Sequence, residues 1–469
     1  MEVKELYDLV CEKAKEFGMK AKNSKDNTST IEKSNGNAII RDKTFAAAFK
    51  EGGAFFGFIG PEEETSGQYS DFSFVVFPQE KDGSCVVSLG VGSLGFKNDY
   101  QLAMMPGVRR DLMKLKSDKT YFKTNFTDLE KPTDGLLKEI KNSYPDLAKV
   151  ISDFQNVLPA AAIVDDYENN LVVIYQWLAM YAKMRGWATN NTQRGEIEKT
   201  LGTIPTPKLP NEQEEIQQLL NTRKYVVLQG APGTGKTWNA LEIAKQYDET
   251  FFEQFHAETT YSDFVYGLEP NCNAEAGKSQ FQPKEGVLYQ AVKYALDNPT
   301  KKVLLIIDEI NRANLSNILG PVFFLFEYQA NNRKVSLKLG DLEPVASLPD
   351  NLHVIATMNT ADRSLAVVDF ALRRRFAWYT LRPHILPGRN FDKETFNAFA
   401  DIFYKYATDE ELNLQPGQSY FTDKTNMKDR MIYELMPLIK EYLAEGYLLN
   451  AKDEFCTLFL EKTDKMMYE

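Results

Sequence analysis

A glycine-rich loop directly follows a short apolar run near the middle of this 469-residue chain. The apolar run is Tyr225-Val226-Val227-Leu228, and the loop at 230–237 reads GAPGTGKT. Glycines let a backbone wrap around phosphate oxygens, and the N–H groups that open the next helix attract an anion. The order of strand, loop and helix therefore predicts a phosphate-binding P-loop in an α/β sheet. Its predicted phosphate-binding residues are Gly230, Ala231, Pro232, Gly233, Thr234, Gly235, Lys236 and Thr237.

A chance match in a glycine-rich loop is the alternative, and it weakens because partner motifs follow in order. Lys236 could reach the β- and γ-phosphates, and the Thr237 hydroxyl could ligate Mg²⁺. The run KVLLIIDE at 302–309 has the nearly continuous apolar character of a strand buried on both faces of a parallel sheet. At its end, Asp308 would hold Mg²⁺ or its water shell, and Glu309 would polarise the attacking water. A helix N-cap is the weaker interpretation of these two acids.

A third apolar run, LHVIATM at 352–358, ends at Asn359. Its amide could position the attacking water, although a lone Asn in this place is more typical of a turn. The segment DFALRRRF at 369–376 follows after one short predicted helix. Three successive arginines usually form a solvated face, but the planar arginine fork also suits phosphate. An arginine given to a neighbouring subunit's nucleotide can raise turnover by orders of magnitude.

Four longer segments resemble the AAA+ motor of the McrB family, the nucleotide-hydrolysing subunit of modification-dependent restriction systems. They read QFHAETTYSDFVYGLEP (254–270), IIDEINRANLSNILG (306–320), MNTADRSLAVVDFALRRRF (358–376) and GQSYF (417–421). The resemblance covers roughly residues 211–450, and MNTADRS is its most specific part. The chain departs from the family pattern at Gln418, where His is common, and at Pro321, where an acid is common.

The resemblance implies a GTPase rather than an ATPase, a hexameric ring, and a separate McrC-like nuclease subunit that stimulates hydrolysis and cuts DNA. By motif position, Asn311 extends the network around the water and Asn359 is the first sensor. Asp362 and Arg363 belong to the signature loop. Arg374 and Arg375 are the two candidates for acting on the next subunit.

The fold class we expect is α/β: a helix-sandwiched AAA+ parallel sheet at 211–380 and an α-helical lid at 381–469. Proline-punctuated residues 186–210 would be a linker, and a separate α+β domain would occupy residues 1–185. Polar turns predict hairpins within 262–290 and 321–351. The pattern of the N-terminal domain predicts strands at 44–50, 54–60, 72–78 and 84–92, with a turn at Lys81-Asp82-Gly83, and helices near 3–17, 102–116, 145–157 and 168–184.

The net charge of −11 argues against a general nucleic-acid coat but leaves room for a local basic groove. The resemblance implies that the N-terminal domain reads modified DNA. Basic runs are usually solvated faces, so both interpretations stay open for the two basic patches of this domain. The first patch is Arg109, Arg110, Lys114 and Lys116, and the second is Lys119, Lys123 and Lys131 around Tyr121 and Phe122.

Four scattered cysteines without a CxxC pair, the absence of an apolar run of membrane-spanning length and a charged first helix lead us to expect a cytoplasmic protein. A function of another class remains open. A MoxR-like remodelling or chaperone ATPase would use the same motor, and its N-terminal domain would bind a protein.

Overall fold

The computed structural model divides the chain into two compact units, Met1–Lys208 and Leu209–Glu469. The residues that the structure describes are 1–23, 36–61, 72–90, 105–123, 132–202, 211–272, 279–327, 336–361 and 370–468.

The N-terminal unit is an α+β domain built on a seven-stranded sheet of order β1-β2-β3-β4-β5-β7-β6. All its neighbouring strands are antiparallel except β1 and β2. Its strands are β1 (Ala21–Asn23), β2 (Ala38–Lys43), β3 (Phe55–Ile59), β4 (Ser73–Pro78), β5 (Cys85–Gly90), β6 (Thr120–Phe122) and β7 (Ala160–Val164). Its helices are α1 (Val3–Glu16), α2 (Ala46–Lys50), α3 (Pro106–Lys114), α4 (Leu136–Ser143), α5 (Ala148–Phe154), α6 (Leu171–Met184) and α7 (Asn191–Leu201).

Buried aromatic residues form much of the core of this unit. Phe58 stacks on Phe74, and Trp187 packs edge-on against Tyr181. The strands expected at 54–60, 72–78 and 84–92 are present as β3, β4 and β5. The turn between β4 and β5 uses Gly83 at a φ of 71°, and this backbone conformation favours glycine.

Two sequence-based expectations for this unit are wrong. Residues 44–50 were expected to form a strand, but α2 occupies 46–50, where three consecutive alanines favour a helix. The first part of the expected linker at 186–210 is instead α7, whose first turn is capped by the Asn190 side chain accepting a hydrogen bond from the backbone of Gln193. Residues 203–210, which contain the three prolines of the expected linker, lie outside the described residues. Ile197 is buried in the unit's core, and this burial holds the helix in place.

The second unit contains a five-stranded, fully parallel sheet of order β14-β8-β13-β12-β9. Buried apolar side chains cover both of its faces in two clusters. Its strands are β8 (Tyr225–Gly230), β9 (Glu249–Gln254), β12 (Val303–Asp308), β13 (Leu352–Asn359) and β14 (Ala377–Thr380). The helices of this part are α8 (Glu212–Arg223), α9 (Lys236–Ala244), α10 (Tyr261–Phe264), α11 (Val287–Asp297), α12 (Leu315–Leu319) and α13 (Phe370–Arg375).

The first of the two expected hairpins is formed by β10 (Tyr266–Pro270) and β11 (Phe281–Glu285), which pair antiparallel. In place of the second, the described residues show a 3₁₀ helix at Gly320–Phe326 and a single antiparallel bridge between Leu337 and Val345. Residues 328–335 lie outside the described part of the chain. The proline at 321 suits the first turn of a helix, where its missing N–H has no partner to lose.

After β14 the chain forms a helical lid with its own aromatic core, in which Phe399 and Phe421 are in contact. Its helices are α14 (Lys393–Tyr406), α15 (Met427–Arg430), α16 (Met436–Ala444) and α17 (Lys452–Thr463), and a π-helical segment at Met431–Leu435 joins α15 to α16. Across the described residues of the whole chain, none of the helices combines the length and the apolar character needed to cross a bilayer.

Candidate active site

The P-loop connects the carboxyl end of β8 to the first turn of α9, as the sequence predicted. Gly233 and Gly235 have φ angles of 79° and 85°, a region that side-chain-bearing residues rarely adopt. The Lys236 ammonium donates hydrogen bonds to the carbonyls of Gly230 and Ala231, at 3.1 and 3.0 Å. The Thr234 hydroxyl donates to Ala231 at 2.9 Å. These bonds fix the loop in the curved form that an anion needs.

Asp308 lies at the carboxyl end of β12, beside the first turn of α9. One of its carboxylate oxygens accepts hydrogen bonds from the hydroxyls of Thr237, at 2.8 Å, and Thr357, at 2.7 Å. The two residues predicted to hold Mg²⁺ are therefore in direct contact. Their hydroxyl and carboxylate oxygens are the hard donors that Mg²⁺ prefers, so this pair fits the ion.

Glu309 follows Asp308 with a φ of 53°, a left-handed conformation that costs about 1–3 kcal/mol for a residue other than glycine. Its backbone N–H donates to the Thr357 hydroxyl at 3.0 Å. The Asn359 amide donates to both Glu309 carboxylate oxygens, at 2.9 and 3.1 Å. Arg312 lies 3.4 Å from the same carboxylate. The strained backbone thus turns the acid toward the end of β13, where Asn359 holds it.

Two further polar residues lie on the segments that carry this network. Asn311 is buried just after Glu309, and its side-chain oxygen has no hydrogen-bond partner within the described structure. Thr357 was missed at the sequence level. The available signal was a hydroxyl residue in the otherwise apolar run LHVIATM, at a position that faces the acids on the neighbouring strand.

The lid reaches the P-loop through residues 417–419. Gly417 N–H donates to the Pro232 carbonyl at 2.9 Å, and Ser419 N–H donates to the Gly233 carbonyl at 3.0 Å. A Cβ at Gly417 would lie only 2.0 Å from a backbone atom of Gly233, so no side chain fits there. Gln418 is 6% exposed and donates to the Thr234 carbonyl at 2.8 Å. The position that departs from the family pattern therefore touches the phosphate loop directly.

The two arginines proposed to act in trans have different surroundings. The Arg375 side chain is 9% exposed and pairs with Glu327 at 2.9 Å, whereas the Arg374 side chain is 69% exposed and lies 3.6 Å from the same carboxylate. Asp362 and Arg363, also predicted site residues, lie outside the described residues.

Arg374 lies at the opposite end of the sheet from its own P-loop. It precedes β14, whose first residue, Ala377, pairs with Val226 near the start of β8. The P-loop begins only after Gly230, four residues further along β8, which is about 13 Å of strand. The structure therefore does not bring Arg374 together with the residues around its own P-loop.

The second basic patch of the N-terminal unit is largely engaged within that unit. Lys119 donates to the Asp165 carboxylate at 2.8 Å and to the Tyr144 hydroxyl at 2.9 Å, and these bonds raise the pKa of Lys119. Lys123 is buried and donates to the carbonyl of Asn156. Lys131 lies outside the described residues.

The first basic patch is on and after α3. Lys114 pairs with Asp111 at 3.0 Å, while Arg109 and Lys116 are exposed. This geometry gives Lys119 and Lys123 structural roles and leaves the first patch as the more accessible one.

Comparison with known proteins assigns the nucleotide-binding region. Residues 225–376 match the family described as the AAA domain of the dynein-related subfamily. A relative from Escherichia coli (strain K12), the type IV methyl-directed restriction enzyme EcoKMcrB subunit, is 39% identical over 195 residues, which are 40% of each chain. The BsuMI component YdiS, a type II restriction enzyme component from Bacillus subtilis (strain 168), is 26% identical over 223 residues, or 39% of this chain and 61% of that protein.

The chain therefore spans less than two thirds of the length of both curated relatives. A crystal structure of a proposed ATPase from Cytophaga hutchinsonii ATCC 33406 is 18% identical to it. That match covers 54% of this chain and 77% of the other, with a TM-score of 0.26.

Proposed function

We propose, from the premise that this chain is a McrB-like AAA+ P-loop NTPase, that it hydrolyses GTP in an oligomeric ring and drives a partner nuclease in a cytoplasmic restriction system. The observation that carries the hydrolytic part is the group of residues around one P-loop. Thr237 is hydrogen-bonded to Asp308, Asn359 is hydrogen-bonded to Glu309, and Lys236 is bonded to the loop carbonyls. Each residue sits at the carboxyl end of a parallel strand or at the following helix, where ligands of such sheets bind.

In this function Glu309 is the base that orients and polarises the attacking water. Asn359 donates to both carboxylate oxygens, so the orientation of the Glu309 side chain is fixed before substrate binds. Such preorganisation means that little reorientation is needed during the reaction. Asn311 has a buried, unpartnered oxygen beside Glu309, which suits a role in holding the same water.

Lys236 would neutralise the β- and γ-phosphates, exchanging its bonds to the loop carbonyls for phosphate oxygens. Thr237 and Asp308 would hold Mg²⁺, which offsets phosphate charge in such reactions. The contact between the Thr237 hydroxyl and Asp308 keeps both groups at the P-loop side of β12. Asp362 and Arg363 are retained as proposed members of the site from their motif positions alone.

The exposed guanidinium of Arg374 is the one we assign to the neighbouring subunit's nucleotide. This assignment makes an assembly necessary for full activity. Arg375 is assigned a supporting role, because its pair with Glu327 holds the last turn of α13. A closed ring, with six subunits as in the family, gives every P-loop a neighbour's Arg374.

The preference for GTP, the ring, the McrC-like nuclease and DNA recognition by the N-terminal unit are supported by the resemblance and by the printed names of the two restriction relatives. The exposed side chains of Arg109 and Lys116 are the part of the N-terminal unit that best suits phosphate contacts. The MoxR-like remodelling function is the second candidate, because Lys119 and Lys123 of the other patch are engaged inside the unit.

One pair of measurements tests this proposal and separates the candidates. The purified chain should release phosphate from GTP at least about tenfold faster than from ATP, and Lys236→Ala should abolish both activities. Cells that carry the chain and an adjacent nuclease gene should then lose transformants of modified plasmid, but not of unmodified plasmid. Unchanged plasmid survival, together with turnover stimulated by a protein partner and not by DNA, would favour the remodelling function.

A further inference from the structure

One side of the P-loop is occupied by the hydrolytic residues, and three segments surround the other side. Leu381, just after β14, donates its N–H to the Gln229 carbonyl at 2.8 Å. The lid residue Gly417 donates to Pro232, and the start of α8 lies beside Asn239 of α9. A nucleotide whose γ-phosphate lies next to Glu309 must place its base on this second side.

A partly buried carboxylate, Glu212, is found at this place. Its side chain is 17% exposed and lies 3.7 Å from the His384 ring nitrogen. Asn239 uses its amide twice, donating to the Gly235 carbonyl at 3.1 Å and to Glu212. Burial raises the pKa of Glu212, while His384 and Asn239 act in the opposite direction. A carboxylate can accept about four hydrogen bonds, so it has capacity for further donors.

A second acceptor on the same side has no donor at all among the described residues. Gln418 is 6% exposed and points its amide nitrogen at Thr234, while its side-chain oxygen is buried with no hydrogen-bond partner among the described residues. A Cβ on Gly235 would lie 3.6 Å from Gln418 and 3.7 Å from Asn239, so both amides flank the phosphate loop. Buried acceptors of this kind indicate a ligand that supplies N–H or O–H groups.

We propose that Glu212 is the residue that selects guanine, its carboxylate accepting hydrogen bonds from the N1–H and the 2-amino group of the base. This inference rests on the proposed NTPase function and names the group behind its nucleotide preference. Adenine has a lone pair at N1 and no 2-amino group, so it would offer the carboxylate no donor and would place an acceptor against it. A site built to accept from a substrate N–H strongly rejects the analogue without it. Gln418 adds an acceptor on the same side of the loop.

Equilibrium binding of fluorescent GTP, ATP and xanthosine triphosphate to the full chain tests this assignment without depending on turnover. Wild type should prefer GTP by at least about tenfold. Glu212→Gln should weaken GTP binding about tenfold or more and should bind xanthosine triphosphate better than GTP. The amide oxygen can accept from N1–H of xanthine, and the amide nitrogen can donate to its 2-oxo group. Glu214→Gln, an exposed acid on the same helix, is the matched control and should leave the preference unchanged.

A second variant, Glu212→Asp, keeps the charge and should retain the preference for GTP with lower affinity. This variant tests the role of Glu212 even if Glu212→Gln does not fold. Equal binding of ATP and GTP by wild type would overturn the assignment while leaving the NTPase function intact, and so would unchanged selectivity in the folded Gln variant or loss of selectivity in the folded Asp variant. If wild type binds none of the three nucleotides, the proposed function itself is wrong.

Discussion

The two ends of the five-stranded sheet carry similar polar residues and use them differently. At the carboxyl end, Asp308, Glu309 and Asn359 hydrogen-bond to one another or to their neighbours around the P-loop. At the amino end, the His353 ring and the Tyr247 hydroxyl share a 2.6 Å hydrogen bond, so these two polar groups are engaged with each other. Position along a parallel strand, rather than residue type, decides which polar groups are available for chemistry.

Arg374 differs from the His353–Tyr247 pair, because it is an exposed cation at the amino end to which we assign a role in the neighbouring subunit. The comparison therefore predicts that changes at the carboxyl end alter turnover within one subunit, and that amino-end changes alter stability. Arg374 should instead alter turnover across subunits. The following expected effects run from the largest to the smallest.

Arg374→Ala should lower turnover by about 10³-fold, the lower range for an arginine that stabilises phosphoryl-transfer charge. Nucleotide affinity and the unfolding midpoint should stay near wild type, because this side chain is mostly exposed. Steady-state phosphate release at high protein concentration, with binding and thermal melts alongside, measures all three. Mixing Arg374→Ala with Lys236→Ala subunits should restore part of the activity.

Arg375→Ala is the control for this experiment. It breaks a partly buried ion pair, so it should lower the free energy of unfolding by about 3 kcal/mol. If the mixture stays inactive and wild-type turnover per subunit is independent of concentration, Arg374 does not act in trans.

Glu309→Gln should lower turnover by about 10²-fold or more, since it keeps the size of the side chain and removes the charge that polarises water. Nucleotide binding should survive, which a filter or fluorescence assay would detect. Glu249→Gln, at the amino end of β9, is the matched change and should leave turnover unaltered. Turnover of Glu309→Gln within a few-fold of wild type would remove this acid from the mechanism.

His353 should make the amino end sensitive to acid. Burial and the nearby Lys224 and Lys302 lower its pKa from 6.5 to about 4. The folded state therefore resists protonation of His353. The contribution of His353 to the free energy of unfolding is fully present above pH 6.5 and is lost as the pH drops toward 4. Between pH 7 and 5 this amounts to about 2 kcal/mol.

Urea unfolding of wild type and His353→Gln at both pH values isolates this contribution. The Gln variant should lose about 2 kcal/mol less than wild type on acidification. Equal losses in both proteins would show that His353 does not set the acid response.

Thr357→Val should have the smallest effect. It removes the hydroxyl that joins the Asp308 carboxylate to the Glu309 backbone, and a misplaced acid pair should cost about tenfold in turnover, or about 1.4 kcal/mol. Thr357→Ser keeps the hydroxyl and should retain most of the activity. A Val variant as active as the Ser variant would show that Asn359 alone positions Glu309.

Much of the motor could be predicted from sequence because its signals are local. A buried parallel strand is a continuous apolar run, and the residues that follow it must meet at one edge of the sheet. KVLLIIDE and LHVIATMN give β12 and β13 with Asp308 and Asn359 at their ends. Thr357 was missed because its partner, Asp308, is 49 residues away and only strand register brings them together.

The N-terminal unit was harder to predict because its polar contacts depend on tertiary pairing. Lys123 reads as an exposed cation in sequence, yet the pairing of β6 with β7 places it in the interior against Asn156. The choice between Arg374 and Arg375 likewise depends on Glu327, far away in the chain. The helix at 191–201 could not be predicted because the prolines at 205, 207 and 210 are typical of a linker, and a single buried residue, Ile197, is a weak helical pattern.

The close approach of Gly417 to Gly233 has a mechanical consequence. The carbonyls of Pro232, Gly233 and Thr234 all accept hydrogen bonds from lid residues 417–419. With no side chain between the two backbones, there is little slack at their junction. We therefore expect the phosphate loop and the lid to move together as one rigid unit. A rotation of the loop would therefore be passed on to the whole lid, and the displacement would grow with distance from the phosphates.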